Sequence, residues 1–483
     1  MLGRLSCCLV AWLLLSGSQA SAADQQASQS RPNVLFIAID DLRDWVHYLG
    51  TNAQVQTPHL DRLAARGVSF TRSYCAAPVC NPSRTALLTG LRPWTSGVYD
   101  NGTEWRDAVP VSATTLPALF LSQGYYVAGA GKVFHGNRIR PDEWSDFAKE
   151  KKGDPEPDAK QSDGVGGIKF APLDCRDEDM TDYNSVSYAI DQLNRQHDRP
   201  LFLACGLHKP HMPWNVPQKY FDLYPLDQIE LPKVLETDLD DVPPAGVKMA
   251  RPDRDHAQML ASGRWKEAVQ GYLAAISFAD AMIGRLLDGL DKSPYASNTI
   301  IVLWGDHGWH LGEKQHWRKF ALWEEATRAP LIFVVPGVTR PGGVCVRTVD
   351  FMSIYPTLTD LCGLPTPSHV EGRSIRRLLA DPAATWGQPA ITTHGYKNHA
   401  VRTQGWRYIR YADGSEELYD EAQDPREWVN LAGKSEWATV KSDLAHWLPT
   451  SNAPPAGKHD KMSAPGPTKK AARQAAKQAK AAE

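Results

Sequence analysis

The run NVLFIAI at residues 33–39, followed directly by Asp40 and Asp41, indicates the fold class of this chain. A nearly continuous apolar run of this length predicts a strand that is buried on both faces, as in a parallel sheet covered by helices. Helical patterns separate this run from later ones, and the repeated strand–helix order favours an α/β sandwich with a largely parallel central sheet. The later apolar runs lie at residues 125–130, 201–205, 299–304 and 331–335.

Two of the helical patterns have clear boundaries. Thr57 and Pro58 supply an N-cap and a first-turn proline, and Gly67 supplies a C-terminal stop. Residues 265–290 form a longer amphipathic pattern whose apolar side chains repeat on one face. We therefore expect one short and one long helix to pack against the central sheet.

The composition is that of a globular protein, with 483 residues of which 42% are hydrophobic and 22% charged. This excludes a disordered or fibrous protein. The formal net charge of -2 gives no indication of a nucleic-acid partner. The polar segments 150–170 and 232–258 are predicted to be exposed loops, and the length of the second suggests a position beside the substrate.

The first 23 residues predict a signal peptide. Arg4 provides a positive start, residues 8–15 form a short apolar run, and ASA at 20–22 fits a small-residue cleavage site. The apolar run is too short to span a bilayer, and no other stretch is long enough. We therefore expect an exported protein, periplasmic or secreted, without a transmembrane segment.

The predicted catalytic α/β domain spans residues 32–375. Residues 376–450 contain short strand-like runs and the hairpin signal DG at 413–414, which predict a smaller subdomain with a short antiparallel sheet. Residues 451–483 are rich in Pro, Ala and Lys and predict a disordered basic tail, for which an ionic tether to a polyanion is the alternative.

Two acidic clusters are expected where strands end. Asp40 and Asp41 close the first strand, and Asp306 with His307 closes the strand that begins at Thr299. In open α/β sheets, ligands bind outside the carboxyl ends of the strands. Adjacent carboxylates ionise together only when a cation neutralises them, and hard oxygen ligands favour Ca²⁺ or Mg²⁺. A turn or cap role fits either cluster alone, whereas two clusters at two strand ends favour a metal.

The stretch CNPSR, which begins at Cys80, is expected to open a helix. Asn81 is a good N-cap, Pro82 a good first helical residue and Gly90 a good stop. Cys80 would then lie at a helix N-terminus, where backbone N–H groups favour an anion, with Arg84 one turn away. These residues predict an activated thiol or an anion-binding loop, and a buried structural cysteine fits them as well.

This stretch, with LTG at residues 88–90, resembles the signature of type I sulfatases. In that family a maturation enzyme, which would be a partner of this chain, oxidises the cysteine to Cα-formylglycine (3-oxoalanine). Further motifs follow in the family's order, namely GKVFH at 131–135, PHMP at 210–213 and Lys319 after Trp317. The resemblance implies an alkaline-phosphatase-like α/β fold and the hydrolysis of a sulfuric ester.

Within the family the chain is most similar to iduronate-2-sulfatases. The similarity rests on runs such as DDLR at 40–43, HKPH at 208–211 and DHGW at 306–309, and the family resemblance extends over about residues 32–435. It implies a sulfated oligosaccharide or polysaccharide as substrate, and the 2-O-sulfate of a terminal hexuronate as the group removed.

The resemblance implies a role for each motif residue. A hydrated formylglycine at position 80 would be the nucleophile and would share one Ca²⁺ ion with the acidic clusters. Lys132 and Lys319 would neutralise the sulfate group, His211 would protonate the departing alcohol, and His135 would accept a proton afterwards. The implied catalytic residues are Cys80, Arg84, Lys132, His135, His211 and Lys319, and the implied metal ligands are Asp40, Asp41, Cys80, Asp306 and His307.

Residues beside the motifs suggest further substrate contacts. Arg43, Arg106 and Lys209 could pair with a uronate carboxylate, and Trp105 could pack on a sugar face. With the motif residues, the expected substrate contacts are Lys132, His211, Lys319, Arg43, Arg106 and Trp105.

Two other functions fit the same residues. One is a phosphodiester or phosphonate monoester hydrolase on the same fold, because fold alone does not determine function. The other is an inactive carbohydrate-binding homologue. The complete set of charged motif residues argues against the second, since a binding module has no need for a metal together with a nucleophile.

Overall fold

The computed structural model describes residues 31–136, 138–149, 153–158 and 164–457 of the chain. The predicted signal peptide lies outside these residues, as does the part of the predicted basic tail that follows residue 457. Among the described residues, no helix combines the length and the apolar character that crossing a bilayer requires.

Strands and helices alternate along the catalytic domain, and each predicted strand is present within two residues of its predicted ends. The strands of the described residues are β1 (Asn33–Ile39), β2 (Val68–Tyr74), β3 (Tyr126–Gly131), β4 (Asp146–Phe147), β5 (Phe170–Leu173), β6 (Leu201–Leu207), β7 (Trp214–Pro217), β8 (Thr299–Gly305), β9 (His310–Leu311), β10 (Trp317–Arg318), β11 (Leu331–Val334), β12 (Gly343–Asp350), β13 (Ala390–Thr393), β14 (His399–Arg402), β15 (Trp406–Arg410) and β16 (Glu416–Asp420).

The two helices predicted with clear boundaries are α1 and α10. The α-helices of the described residues are α1 (Pro58–Ala64), α2 (Cys80–Thr89), α3 (Pro93–Ser96), α4 (Trp105–Ala108), α5 (Leu116–Ser122), α6 (Thr181–Leu193), α7 (Gln218–Phe221), α8 (Pro244–Ala250), α9 (Asp255–Ser262), α10 (Trp265–Lys292), α11 (Glu324–Thr327), α12 (Ile354–Leu361), α13 (Arg376–Ala380) and α14 (Ala438–Ala445).

Eight of the described strands form the central sheet, in the order β12-β2-β11-β8-β1-β6-β3-β4. They are parallel to their neighbours except for β11, which runs antiparallel to both β2 and β8. Strand β1 lies between β6 and β8, so its last residue, Ile39, is paired with Leu207 and with Gly305. The prediction of a large, mostly parallel central sheet is confirmed.

Both faces of the central sheet are buried. Successive side chains of β1 point to opposite faces, and every residue from Val34 to Ile39 is at most 1% exposed. Leu35 and Ile37 pack with α6 and α10 on one face, whereas Phe36 packs with α2, α5 and α12 on the other. This two-sided burial is the physical reason that the run is continuously apolar rather than alternating.

A small antiparallel sheet with the order β13-β14-β15-β16 follows in the chain. Three of its strands match the predicted runs, whereas β13 has no predicted counterpart. The hairpin between β15 and β16 turns at Gly414, whose φ of 86° lies in the left-handed region that glycine adopts without strain. The predicted small C-terminal sheet is therefore confirmed.

Two local expectations are wrong. The segment 232–258, predicted to be a loop, contains α8 and the start of α9. Asn81 does not cap α2, because the helix begins at Cys80, two residues earlier than expected, with Val79 as the N-cap residue. The side-chain amide of Asn81 instead donates hydrogen bonds to the carbonyls of Asp100 and Thr103, at 2.8 and 3.0 Å.

Residues 451–457, which the sequence assigns to the tail, lie against the loop at residues 94–103. We call them the C-terminal segment. The N–H groups of Ala453 and Ala456 donate to carbonyls of that loop at 2.7 and 2.9 Å, and the hydroxyl of Tyr99 donates back to a carbonyl of the segment at 2.9 Å. The described start of the predicted tail is thus held in place by hydrogen bonds.

A buried charge network connects the small sheet to the catalytic domain. Arg407 of β15 forms ion pairs with Glu324 of α11 and with Glu427, and its side chain is 0% exposed. Arg402 of β14 reaches Glu324 at 3.1 Å, and the hydroxyl of Tyr74 in β2 donates to the same carboxylate at 2.8 Å. The carboxylates offset the cost of burying two guanidinium groups.

The substitution Arg407→Met is expected to destabilise the protein by about 3–5 kcal/mol, because it leaves buried carboxylates without their partner. Chemical denaturation followed by circular dichroism measures this loss. Arg410 lies in the same strand at its partly exposed end, so Arg410→Met is the matched control and should cost less than about 1 kcal/mol. Equal effects of the two substitutions would contradict the role of the network.

Candidate active site

The two acidic clusters meet at the carboxyl ends of β1 and β8, because these two strands are paired. The N–H of Asp306 donates to the carbonyl of Ile39 at 3.0 Å, and the N–H of Asp41 donates to the Asp306 carboxylate at 2.9 Å. Asp40, Asp41, Asp306 and His307 are all 0% exposed. The two acidic clusters therefore lie side by side in a buried position.

Asp41 has a left-handed backbone, with φ at 59°. The hydroxyl of Tyr272 in α10 donates to its carbonyl at 2.7 Å, which holds this conformation. Its carboxylate lies 2.6 Å from the ammonium of Lys319. Burial and the adjacent Asp40, acting against the charge of Lys319, together raise the pKa of Asp41 to about 7.

Helix α2 begins at Cys80 and is fixed to the acidic clusters by its first turn. The hydroxyl of Ser83 donates to the carbonyl of Asp306 at 2.5 Å. The guanidinium of Arg84 pairs with Asp306 at 2.9 Å and with Asp40 at 3.5 Å, and it also donates to the carbonyl of Val133 at 3.1 Å. Arg84 is 0% exposed, so its positive charge acts on these buried carboxylates and not on solvent.

The sulfur of Cys80 lies at the centre of these groups. Its Sγ is 3.0 Å from the Nζ of Lys319, 3.3 Å from the Nε2 of His307 and 3.8 Å from a carboxylate oxygen of Asp41. Burial and the nearby carboxylates raise the pKa of the thiol, but Lys132 and Lys319 outweigh them, so the net shift is downward. An anionic group at this position is thus favoured.

Three further motif residues surround this centre. Lys132, which follows β3, forms an ion pair with Asp40. The ring of His211 donates from Nδ1 to the carbonyl of Met212 at 2.6 Å, and its Nε2 lies 3.9 Å from Asp41. Burial alone would raise the pKa of Asp40. The charges of Lys132 and His211 outweigh burial and hold this pKa well below its usual value.

His135 lies close enough for its titration to respond to the charges of Lys132 and Asp40. Burial and the charge of Lys132 lower the pKa of His135 to about 3, so its ring is neutral near pH 7. Its Nδ1 is buried and has no hydrogen-bond partner within the described part of the chain. Burial and Lys132 also lower the pKa of His211.

The donor atoms at this site fit a hard divalent cation. Two groups of four potential ligands lie close together, and their shared members are Asp40 and Cys80. One group adds Asp306 and His307, and the other adds Asp41 and His211. One carboxylate oxygen of Asp41, Oδ2, is buried and has no hydrogen-bond partner among the described residues. A buried, unpartnered carboxylate oxygen within an oxygen-rich set is what Ca²⁺ or Mg²⁺ requires.

Arg43, which was predicted to bind substrate, is paired inside the protein. Its guanidinium lies 3.1 Å from Asp44 and 2.8 Å from Glu313, and the residue is 4% exposed. Lys209 is 3% exposed and lies 3.0 Å from Asp154. The prediction that these cations contact substrate has no support in this geometry.

Arg106 and Trp105 are engaged in the same way. The guanidinium of Arg106 makes two hydrogen bonds to Glu143, at 2.8 and 2.7 Å, and stacks over the ring of Trp105. Trp105 is 2% exposed and stacks on Phe134, with ring centroids 5.3 Å apart. In this structure both residues hold the segment after β3 in position, and their contact with substrate stays a prediction.

A cleft of about 420 Å³ opens beside the cluster. Val79, next to Cys80, and Phe320, next to Lys319, belong to its walls. The N–H of Phe320 donates to the carbonyl of Pro78 at 3.2 Å, which joins these two segments. The end of α8 and the start of α9 form another wall, and they lie in the segment that was predicted to be beside the substrate.

The chain matches the family model "Sulfatase" over residues 32–364 and the model "N-sulphoglucosamine sulphohydrolase, C-terminal" over residues 312–453. A sulfatase from Formosa agariphila is 41% identical over 456 residues, which cover 89% of this chain and 88% of the relative. Iduronate 2-sulfatase from Homo sapiens is 32% identical over 411 residues, which cover 74% of each chain.

The solved structure of the phosphonate monoester hydrolase of Agrobacterium radiobacter superposes on this chain with a TM-score of 0.73 at 22% identity. The superposition covers 86% of this chain and 94% of that one. At this identity the likeness shows a common fold.

Proposed function

Because this chain belongs to the sulfatase family, and is therefore a sulfuric ester hydrolase, we propose that it removes sulfate from a sulfated carbohydrate with a hydrated formylglycine at position 80 as the nucleophile. The observation that carries the proposal is the convergence of three groups on the Cys80 sulfur. Lys319, His307 and Asp41 lie 3.0, 3.3 and 3.8 Å from it. A cysteine with only a packing role has no need of a buried ammonium group at hydrogen-bond distance.

The lysines provide positive charge for the sulfate group. Lys132 is held by the carboxylate of Asp40, and Lys319 by that of Asp41. A sulfuryl group in transfer resembles a phosphoryl group, because both need positioning and neutralisation of negative charge that is spread over several oxygens. Ammonium groups fixed before the reaction supply that neutralisation without reorganisation.

The two histidines are placed for proton transfer. His211 presents Nε2 toward the centre because its Nδ1 is bound to a carbonyl. Lys132 and burial keep its pKa low in the substrate-free site, and a bound sulfate, which brings negative charge, would raise it toward the value that a general acid needs. The ring of His135 is neutral and its Nδ1 is unpartnered among the described residues, and the negative charge of a bound sulfate would raise its low pKa so that it accepts a proton from the nucleophile.

Asp40, Asp41, Asp306 and residue 80 would hold one Ca²⁺ ion, with His307 beside them. The ion would lower the pKa of a hydroxyl on residue 80 and add positive charge to the site. Arg84 acts as a positioning residue, since its guanidinium orients both Asp40 and Asp306.

The substrate is a 2-O-sulfated hexuronate at the end of an oligosaccharide. The similarity to iduronate 2-sulfatase, at 32% identity over 411 residues, supports this substrate class. Maturation of Cys80 by a formylglycine-generating enzyme and export by the predicted signal peptide are parts of the same proposal.

The test is a panel of sulfated disaccharides that differ only in the position of the sulfate group. We expect kcat/KM for the 2-O-sulfated uronate to exceed that for a 6-O-sulfated hexosamine by at least about tenfold, a difference of about 1.4 kcal/mol in transition-state binding. Equal kcat/KM values for the two substrates would contradict the assignment of a uronate substrate, while the sulfatase assignment would remain.

A phosphonate monoester hydrolase is the second candidate, because a protein of that activity shares the fold. Matched aryl sulfate and aryl phosphonate esters separate the two functions. We expect sulfate release to dominate, and faster release from the phosphonate ester would reverse the assignment.

A further inference from the structure

The cleft beside Cys80 has aromatic and cationic walls. Tyr99, Phe320 and Tyr396 contribute aromatic rings, and Arg251 and Arg254 contribute guanidinium groups. Its volume of about 420 Å³ falls within the range of small-molecule sites. Aromatic rings that pack on a sugar face, together with arginines that pair with a carboxylate, suit an acidic sugar.

Most other charged groups of the cleft already have partners. Asp255 forms an ion pair with Arg318 at 2.5 Å. The carboxylate of Asp100 accepts hydrogen bonds from the N–H and the hydroxyl of Thr103, each at 2.8 Å. Burial lowers the pKa of His394 to about 4, so this ring is neutral near pH 7.

His316 is also occupied, because its two ring nitrogens lie 2.7 Å from the carbonyls of Ala250 and Lys319. Burial lowers its pKa as well. His394 is thus neutral near pH 7, and both ring nitrogens of His316 are occupied by carbonyls.

Arg251 and Arg254 differ from these groups. Both side chains are exposed, and within the described part of the chain neither guanidinium has a carboxylate at ion-pair distance. The N–H of Arg254 donates to the carbonyl of Arg251 at 3.0 Å, so one backbone turn carries both charges. The same turn carries Asp253, but among the described residues neither guanidinium pairs with its carboxylate, so both arginines are available to an anionic ligand.

The backbone of Arg251 is in the left-handed region, with φ at 53°. Arg251 occupies the C-cap position of α8, a place where glycine or asparagine is the usual left-handed residue. Arg318 and Phe320 in the same cleft also have positive φ values, of 79° and 76°. Left-handed conformations of larger residues cost about 1–2 kcal/mol and cluster at ligand sites. The backbone at this position does not favour arginine. We therefore look to the guanidinium group for the reason that an arginine is present.

We propose that Arg251, assisted by Arg254, binds the carboxylate of the uronate whose sulfate group reaches residue 80. This inference rests on the proposed function and names the group that selects its substrate. Unlike Arg43 and Arg106, whose guanidinium groups are paired with Glu313 and Glu143, Arg251 has no carboxylate partner among the described residues. A second sulfate group on the substrate is also an anion that an arginine could bind. The test therefore distinguishes binding of the carboxylate from binding of a second sulfate.

The test measures a preference, defined as kcat/KM for a 2-O-sulfated hexuronate divided by kcat/KM for the same sugar with its carboxylate reduced to an alcohol. We expect Arg251→Ala to lower this preference by about 10- to 100-fold, mainly through KM, because charge-assisted hydrogen bonds to the carboxylate are lost. Arg251→Lys should restore part of it, since the charge returns without the planar fork.

Arg340→Ala is the matched control. Arg340 is an exposed arginine that precedes β12, at the end of the sheet opposite to Cys80. It should leave the preference unchanged.

An unchanged preference in Arg251→Ala would overturn the inference. A third substrate carries an additional sulfate group on the neighbouring hexosamine. If the substitution affects only this substrate, Arg251 binds a sulfate and the carboxylate assignment is wrong. A wild-type enzyme that cleaves an aryl sulfate but neither uronate substrate would contradict the substrate class of the proposed function, and this inference with it. The two failures are therefore distinguishable.

Discussion

A Cys80→Ala variant is expected to lose sulfatase activity by far more than about a hundredfold while keeping its fold. Lys319, His307 and Asp41 converge on residue 80, whose side chain would supply the nucleophile. No neighbouring group can take over that role after the substitution. The substitution removes a single sulfur atom at the first turn of α2, so little packing is lost. Release of sulfate from an aryl ester measures the activity, and circular dichroism verifies the fold.

Cys205→Ala is the matched control for this variant. Cys205 is another fully buried free cysteine, in β6 of the same sheet. The Cys205→Ala variant should retain activity, because the sulfur of Cys205 packs in the apolar core. A Cys80→Ala enzyme that kept more than about a hundredth of the wild-type rate would contradict the nucleophile assignment.

Mass spectrometry tests the same assignment without mutation. The peptide that contains Cys80 should appear at a lower mass than the thiol form, because formylglycine carries oxygen in place of sulfur. An unmodified thiol in active enzyme from the native host would exclude the formylglycine mechanism.

Removal of divalent metal by a chelator is expected to lower activity by more than about a hundredfold, and added Ca²⁺ is expected to restore it. The ion would offset several negative charges at once, and charge stabilisation of this kind lowers the barrier by several kcal/mol. The unpartnered buried oxygen of Asp41 is the structural reason to expect a cation here. Activity is measured on an aryl sulfate before chelation, after it and after addition of the metal.

Circular dichroism of the chelated protein is the control, since unfolding would mimic loss of the cation. Restoration by Zn²⁺ but not by Ca²⁺ would contradict the assignment, because Zn²⁺ favours tetrahedral sites rich in nitrogen and sulfur.

The central sheet and the acidic clusters could be predicted from the sequence because both depend on local pattern. A continuous apolar run indicates a strand buried on two faces, and Asp40 and Asp306 each follow such a run. Since β1 and β8 are parallel neighbours, the ends of the two runs meet. The apolar pattern and the parallel pairing of the strands are therefore enough to bring the acidic clusters together.

Lys319 could be predicted only through the family resemblance. It lies in an irregular segment between Arg318 and Phe320, whose backbones are both left-handed. Such a segment has no periodicity, so nothing in its own sequence indicates which way a side chain points.

The substrate-binding cations were predicted only because they lie beside motifs in the sequence, and this criterion is weak. Arg43 follows the acidic pair, yet its guanidinium pairs with Glu313, which lies 270 positions further along the chain. Arg251 belongs to no motif, and it becomes a candidate only when the partners of every other charge in the cleft are known. Which charges stay unpaired is a property of the folded molecule, and spacing along the chain does not reveal it.

The C-terminal segment has a consequence for the order in which the site is built. It bonds to Tyr99 and Thr103 across separations of 354 and 353 residues. Those residues belong to the loop that receives the side chain of Asn81. During synthesis, the ribosome completes nearly the whole described chain before this brace exists. The loop-closure entropy of such a long-range contact is overcome only when the rest of the fold has brought the ends together. The contacts that complete the wall at Tyr99 thus wait for residues 453 and 456, which are synthesised about 100 residues after the last strand of the central sheet.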